Sequence, residues 1–221
     1  MKLGLSLAID RVGNSRPPFS SSVTYVSGGT GSFVGTTFIF TPTNLNAGDW
    51  MFVVADGVDA TSVTGGSGGT WTKLTLTNLE PRVTTLFYRQ LVSGDVGATF
   101  TINGGTSTGP ASWVVYRGAT SAVVARTQVS PANVQPLVFS APTLSARSSR
   151  FLAILSLHGS GSGSWTPIPA NWTTRVSHTS YGPKWLGDIQ SSLLPAGDIT
   201  FATNVTHPNA QVGWLFELIG T

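Results

Sequence analysis

Asp49-Trp-Met-Phe-Val-Val-Ala55 is an unbroken apolar run, and it meets its counterpart in Arg150-Phe-Leu-Ala-Ile-Leu-Ser-Leu157. A strand with one wet face alternates apolar and polar residues. A run with no alternation predicts a strand covered on both faces. Trp50 and Phe151 stand 101 residues apart, and so do Trp71 and Trp172, Phe100 and Phe201, and Trp113 and Trp214. The context agrees with the spacing. Gly69-Thr-Trp71-Thr-Lys-Leu74 faces Ala170-Asn-Trp172-Thr-Thr-Arg-Val176, and Ser112-Trp113-Val-Val-Tyr116 faces Gly213-Trp214-Leu-Phe-Glu217. The chain therefore reads as two related halves.

Outward from these runs the period is two. Phe33-Val-Gly-Thr-Thr-Phe-Ile-Phe40, Trp71-Thr-Lys-Leu-Thr-Leu76 and Val83-Thr-Thr-Leu-Phe-Tyr-Arg-Gln-Leu91 are rich in β-branched and aromatic residues. Turn clusters such as Gly65-Gly-Ser-Gly-Gly69 and Asn103-Gly-Gly105 separate them. No stretch carries a helical period with caps. About twelve short strands with such turns predict an all-β, antiparallel sandwich. The expected layout is an N-terminal arm over 1–20 and a sandwich over 21–221, with halves of about 21–118 and 119–221. The short junction Arg117-Gly-Ala-Thr-Ser121 favours one large sandwich over two tandem ones.

The arm alternates Leu3, Leu5, Leu7 and Ile9, then runs through Pro17, Pro18 and Phe19. Consecutive prolines favour an extended link. An apolar strand on such a link suits addition to a neighbour's sheet edge, or the first strand of its own sheet.

Composition narrows the chemistry. Charged residues make up 10% of the 221, against a usual share of about 25%. A neutral Ser/Thr/Gly surface suits a protein packed against copies or other subunits. The net charge of +3 is scattered singly, so no nucleic-acid partner is expected. No run is long enough to cross a membrane as a helix, and there is no cysteine. Among nine acids only Asp56 and Asp59 form a close pair outside the arm, and turn duty explains them. Asp95 and Asp198 read as turn residues too. His158, His178 and His207 match no metal spacing. Neither catalytic residues, a metal nor a cofactor is expected. Gly65–Gly69 lacks the ending of a phosphate loop and reads as a flexible loop. Trp165, Tyr181 and Trp185 lie in less regular segments. They are candidate aromatics for a glycan platform or a subunit interface if exposed, with ordinary core packing the third reading.

Several first-half motifs carry a resemblance. They are Ala47-Gly-Asp-Trp-Met-Phe-Val-Val-Ala55, Gly69-Thr-Trp-Thr-Lys-Leu74, Leu86-Phe-Tyr-Arg-Gln-Leu-Val-Ser-Gly-Asp95, Ala98-Thr-Phe-Thr-Ile102 and Trp113-Val-Val-Tyr-Arg-Gly-Ala119. This pattern resembles a β-sandwich module of tailed-bacteriophage virion proteins over roughly residues 30–220. Similar modules look to be present in bacterial surface proteins. Gly-Thr-Trp71 departs from the module's usual Gly-Trp-Thr, and the arm lies outside it. The resemblance implies a jelly-roll-like fold and a virion location. It further implies a non-enzymatic fibre, spike, tail or capsid accessory role, with other virion proteins as partners. A homo-oligomer is expected, a trimer by family habit. The competing expectation is a carbohydrate-binding module for a host-surface glycan.

Overall fold

The computed structural model describes residues 22–56, 59–77, 83–104, 109–131, 134–145, 149–158, 162–179, 182, 184–205 and 210–221. The arm residues Leu3, Leu5, Leu7, Ile9, Pro17, Pro18 and Phe19 lie outside them.

The chain is all-β and antiparallel. The first half runs β1 (Thr24–Ser32), β2 (Thr37–Phe40), β3 (Trp50–Asp56), β4 (Ser62–Gly65), β5 (Thr72–Thr77), β6 (Val83–Gln90), β7 (Phe100–Asn103) and β8 (Pro110–Arg117). The second runs β9 (Ala119–Ser130), β10 (Leu137–Phe139), β11 (Ser149–His158), β12 (Thr173–His178), β13 (Lys184–Gln190), β14 (Ile199–Phe201) and β15 (Ala210–Gly220).

Strand order shows the repeat directly. The first large sheet is β1-β8-β3-β6-β5, and the second, read from its other edge, is β9-β15-β11-β13-β12. Position for position these are the same sheet. The small sheets are β2-β7-β4 and β10-β14. Pairing first with last and third with sixth in one sheet, and second with seventh in the other, is jelly-roll wrapping. In the second half a single bridge from Trp165 to Thr203 stands where β4 pairs with β7 in the first.

Three cores follow. Phe38, Phe40, Met51, Val53, Phe100 and Trp113 fill the first half between its own sheets. Phe139, Phe151, Ala153, Trp172, Trp185 and Phe201 fill the second. A third core, the seam, holds Phe52, Val54, Val114 and Tyr116 against Leu152, Ile154, Trp214 and Phe216. The sheets thus stack in four layers, with the two large sheets face to face in the middle. Each half has its own sandwich core, and the seam joins the halves. Here lies the reason for the unbroken runs. Odd residues of β3 face the small sheet, even residues face the seam, and neither face meets water.

β1 lies against β12. Leu74 and Leu76 of β5 and Ala122 and Val124 of β9 border the same seam. Since β1 corresponds to β9 and β5 to β12, the same strand positions of both halves border the seam about a pseudo-twofold, and the β1–β12 approach is the closer of the two. Glycine permits the β1 approach: a Cβ on Gly28 would lie 2.8 Å from Val176 Cγ2 and 2.9 Å from Tyr25 Oη.

The 101-residue spacing is only partly a structural register. Trp71 and Trp172, and Phe100 and Phe201, occupy matching cores. Trp50 borders the seam whereas Phe151 faces its own small sheet, and Trp113 faces inward whereas Trp214 faces the seam. A strand changes face at every residue, so where the structural register differs from 101 by one residue the matched pair points to opposite sides. The in-phase partners in the central strands are Phe52 with Leu152 and Val54 with Ile154, all in the seam. Bulges between Thr174 and Val176, and between Leu215 and Phe216, mark where register shifts.

Candidate functional site

The aromatics expected on the surface are inside. Trp165 is 4% exposed and Trp185 is 2% exposed. Trp185 packs on Phe201 at 5.3 Å and donates its indole N–H to Thr174 Oγ1 at 2.8 Å. Neither indole offers a face to a sugar ring, which corrects the expectation of an exposed platform for these two. The cause is topological. Trp185 sits on β13, a strand covered on both faces, and Trp165 bridges to Thr203 beside β14. Tyr181 lies outside the described residues.

Charged groups also turn inward. Asp49, Asp56, Asp95, Asp188 and Glu217, five of the nine acids, are buried. Asp residues at turns ordinarily stay wet, so each of these needs a partner.

Asp95 finds Arg89 at 2.6 Å and accepts the backbone N–H of Val92 at 2.8 Å and of Ser67 at 3.0 Å. Arg89 in turn lies 4.8 Å from the Trp71 ring centre. The glycine stretch wraps this pair. A Cβ on Gly66 would stand 2.1 Å from Asp95 Oδ1, and one on Gly69 would stand 2.0 Å from Arg89 Nη1. These glycines are there for close approach to a buried ion pair, which corrects the reading of a flexible loop. Asp95 is more than a turn residue. Asp198, its expected equivalent, accepts only the Ala141 N–H at 3.1 Å among its described hydrogen bonds.

The seam holds two ionic groups. The first centres on Asp188, which is wholly buried. Its carboxylate accepts from Arg150 Nη1, from Arg175 Nε at 2.6 Å and from Tyr116 Oη at 2.7 Å. Arg150 also donates Nε–H to Val23 O at 3.0 Å, and Arg175 stacks 4.8 Å above the Tyr25 ring. Burial, with the charge of Asp188 and its hydrogen bond, raises the Tyr116 phenol well above its ordinary value. Tyr116 is therefore a fixed donor that ties β8 of one half to β13 of the other.

The second group centres on Lys184, whose side chain is 0% exposed. Its Nζ lies 3.5 Å from Asp56 Oδ2, and Thr84 Oγ1 donates to Asp56 Oδ1 at 2.8 Å. Burial lowers the Lys184 pKa, against the raising pull of Asp56. His178 pairs with Lys184 across β12–β13, and burial and then Lys184 lower its pKa as well. Asp56 is thus a seam residue at the end of β3. Asp59 is separate, an exposed partner of Lys73 at 2.8 Å. His158 ends β11, and His207 lies outside the described residues.

One open concavity of about 340 Å³ lies at the corner where the halves join, lined by Asn46, Gly48, Asp49, Arg117, Gly118 and Thr120 among others. Its charges satisfy each other. Arg117 forks onto Asp49 with both contacts at 2.9 Å and gives a further hydrogen bond to Asn44 O at 2.7 Å. This bidentate lock fixes the corner and leaves little of Arg117 to a ligand. Among the described residues no three of His, Cys, Asp and Glu gather as a metal site.

Sequence reasoning missed the seam ions. A signal was present: Arg150, Lys184 and Asp188 belong to β11 and β13, strands whose other residues are largely apolar. No family model, curated protein or solved structure matches the chain.

Proposed function

We propose that the chain is a structural subunit of a larger particle, of the kind its resemblance to tailed-bacteriophage virion modules implies, docking through its N-terminal arm. The observation that carries this reading is where the charge sits. Five of the nine acids are buried, four of them in ion pairs, and the outer strands present mainly Thr, Ser, Asn and Gly. A surface built that way has little self-repulsion and suits packing against other subunits. The seam supports the same reading, because it makes one stiff body of two sandwiches through both apolar and ionic contacts. In this role the arm supplies the attachment and the double sandwich supplies bulk and rigidity. A homo-oligomer, with a trimer as the specific expectation, would present several arms at once.

Deleting residues 2–18 tests it. The truncated chain is expected to fold, with unchanged circular dichroism, and to be missing from purified particles. Normal incorporation of the truncated chain would refute the docking role.

A further inference from the structure

We propose that Lys184 and Asp56 condense into an intramolecular amide bond that crosses the seam and fastens one half of the chain to the other. This inference stands apart from the particle role and holds whatever assembly the chain joins.

The geometry supplies each part of the reaction. The amine and the carboxylate come from opposite sheets, their side chains are 0% and 5% exposed, and Nζ lies 3.5 Å from Oδ2. Although wholly buried, Nζ makes no hydrogen bond among the described residues. A buried ammonium without donors satisfied is costly, and burial lowers the Lys184 pKa toward the neutral, nucleophilic amine. Thr84 Oγ1 holds Asp56 Oδ1 at 2.8 Å, where it can steady negative charge on that oxygen while Oδ2 departs. Gly182 closes over the carboxylate, for a Cβ there would lie 2.5 Å from Asp56 Oδ2.

Two more groups share the row. Ser156 and His178 are the residues directly opposite Lys184 on its two neighbouring strands. Opposed residues of an antiparallel pair point to the same face, so all three turn toward the first half. The Ser156 hydroxyl is buried without a hydrogen-bond partner among the described residues. His178 is half-buried with its neutral form favoured, so it can take a proton and return it.

The step balances without a co-reactant. Lys184 passes one proton to His178, and the free amine attacks Asp56 Cγ. The N–C bond forms and the Cγ–Oδ2 bond breaks. The leaving oxygen collects the proton from His178 and a second from the nitrogen, and departs as water. One amide N–H remains, and His178 ends neutral.

The test is the intact mass of the full-length chain under denaturing conditions. The expected mass is that of the sequence less one water. Proteolysis is expected to release a branched peptide joining the segments around Asp56 and Lys184, and the chain should migrate faster on a denaturing gel. Lys184→Met should restore the full mass. Should that variant fail to fold, the branched peptide from the unaltered chain decides alone. Full sequence mass, both fresh and after long incubation at neutral pH, overturns the proposal. Asp56 precedes Gly57, a pair that can also lose water as a cyclic imide. A water loss that persists in Lys184→Met, or that hydroxylamine cleaves at Asp56–Gly57, overturns the proposal too.

Discussion

Replacing Asp188 with alanine should be among the most damaging single changes in the chain. The carboxylate is wholly buried and neutralises Arg150, whose side chain is 11% exposed, and Arg175, at 24%. Without it Arg150 keeps the Val23 carbonyl but no counter-charge. Stripping one partner from a buried ion pair costs about 3–5 kcal/mol, because a charge stays behind unpaired. Arg175 can swing toward water, which argues for the lower end. Tyr116 Oη then loses its acceptor inside the seam, which adds roughly 1–3 kcal/mol. These terms share atoms and do not simply add, so a total of about 4 kcal/mol is reasonable. For a chain of this size each kcal/mol moves Tm by roughly 2–4 °C, which predicts a fall of roughly 8–16 °C. The assay is thermal unfolding followed by circular dichroism at neutral pH. Lys73→Ala is the control, since its pair with Asp59 is 35% and 65% exposed and surface pairs contribute only about 0–1 kcal/mol. Adding Arg150→Met to Asp188→Ala should recover part of the loss by removing the stranded charge. If Asp188→Ala lowers Tm no more than Lys73→Ala does, the seam charges are hydrated and the reasoning fails.

Other perturbations bear on the seam. The His178 pKa in the folded chain lies below its ordinary 6.5. The unfolded chain therefore takes up the proton first, and stability falls as pH drops below about 6.5 toward the folded value. Tm measured from pH 7.5 down to 5 should decline less steeply in His178→Gln than in the unaltered chain; parallel slopes would clear His178 of any part in it. Gly28→Val should wedge β1 from β12, since even a Cβ meets Val176 Cγ2 at 2.8 Å, and overpacking of this kind costs about 1–3 kcal/mol. Gly197→Ala, where a Cβ meets nothing within 4 Å, should leave the urea midpoint nearly unchanged.

Much of the architecture could be read from residue order. The continuous runs at 49–55 and 150–157 predicted strands without a wet face, and the central strands of both large sheets are covered on both sides. What covers them was less legible. Burial leaves the same hydrophobic mark whether the cover is a strand's own small sheet or its partner half. Phase was obscured too. Trp50 and Phe151 match in type and spacing, yet they point to opposite faces, because one residue of slippage is invisible in composition and decisive in a strand. Among site residues, Trp165 and Trp185 were misplaced because the prolines and glycines around them signal irregular backbone, and irregular backbone is usually outside. Here the backbone bends while the indoles point in. The ionic seam was hardest to anticipate, since Asp56 with Lys184, and Asp188 with Arg150 and Arg175, are partners far apart in sequence.

The pseudo-twofold carries a consequence for how this interface could change. Were the halves separate molecules, the seam would be a homodimer interface, and any substitution would appear on both sides at once. An acid placed near the axis would then tend to meet its own copy. With both copies on one chain, each side varies alone. Asp56 can face Lys184 rather than another Asp56, and Asp188 can draw two arginines while its counterpart position carries no carboxylate. The charges that lock the halves together are ones that strict symmetry would make hard to install.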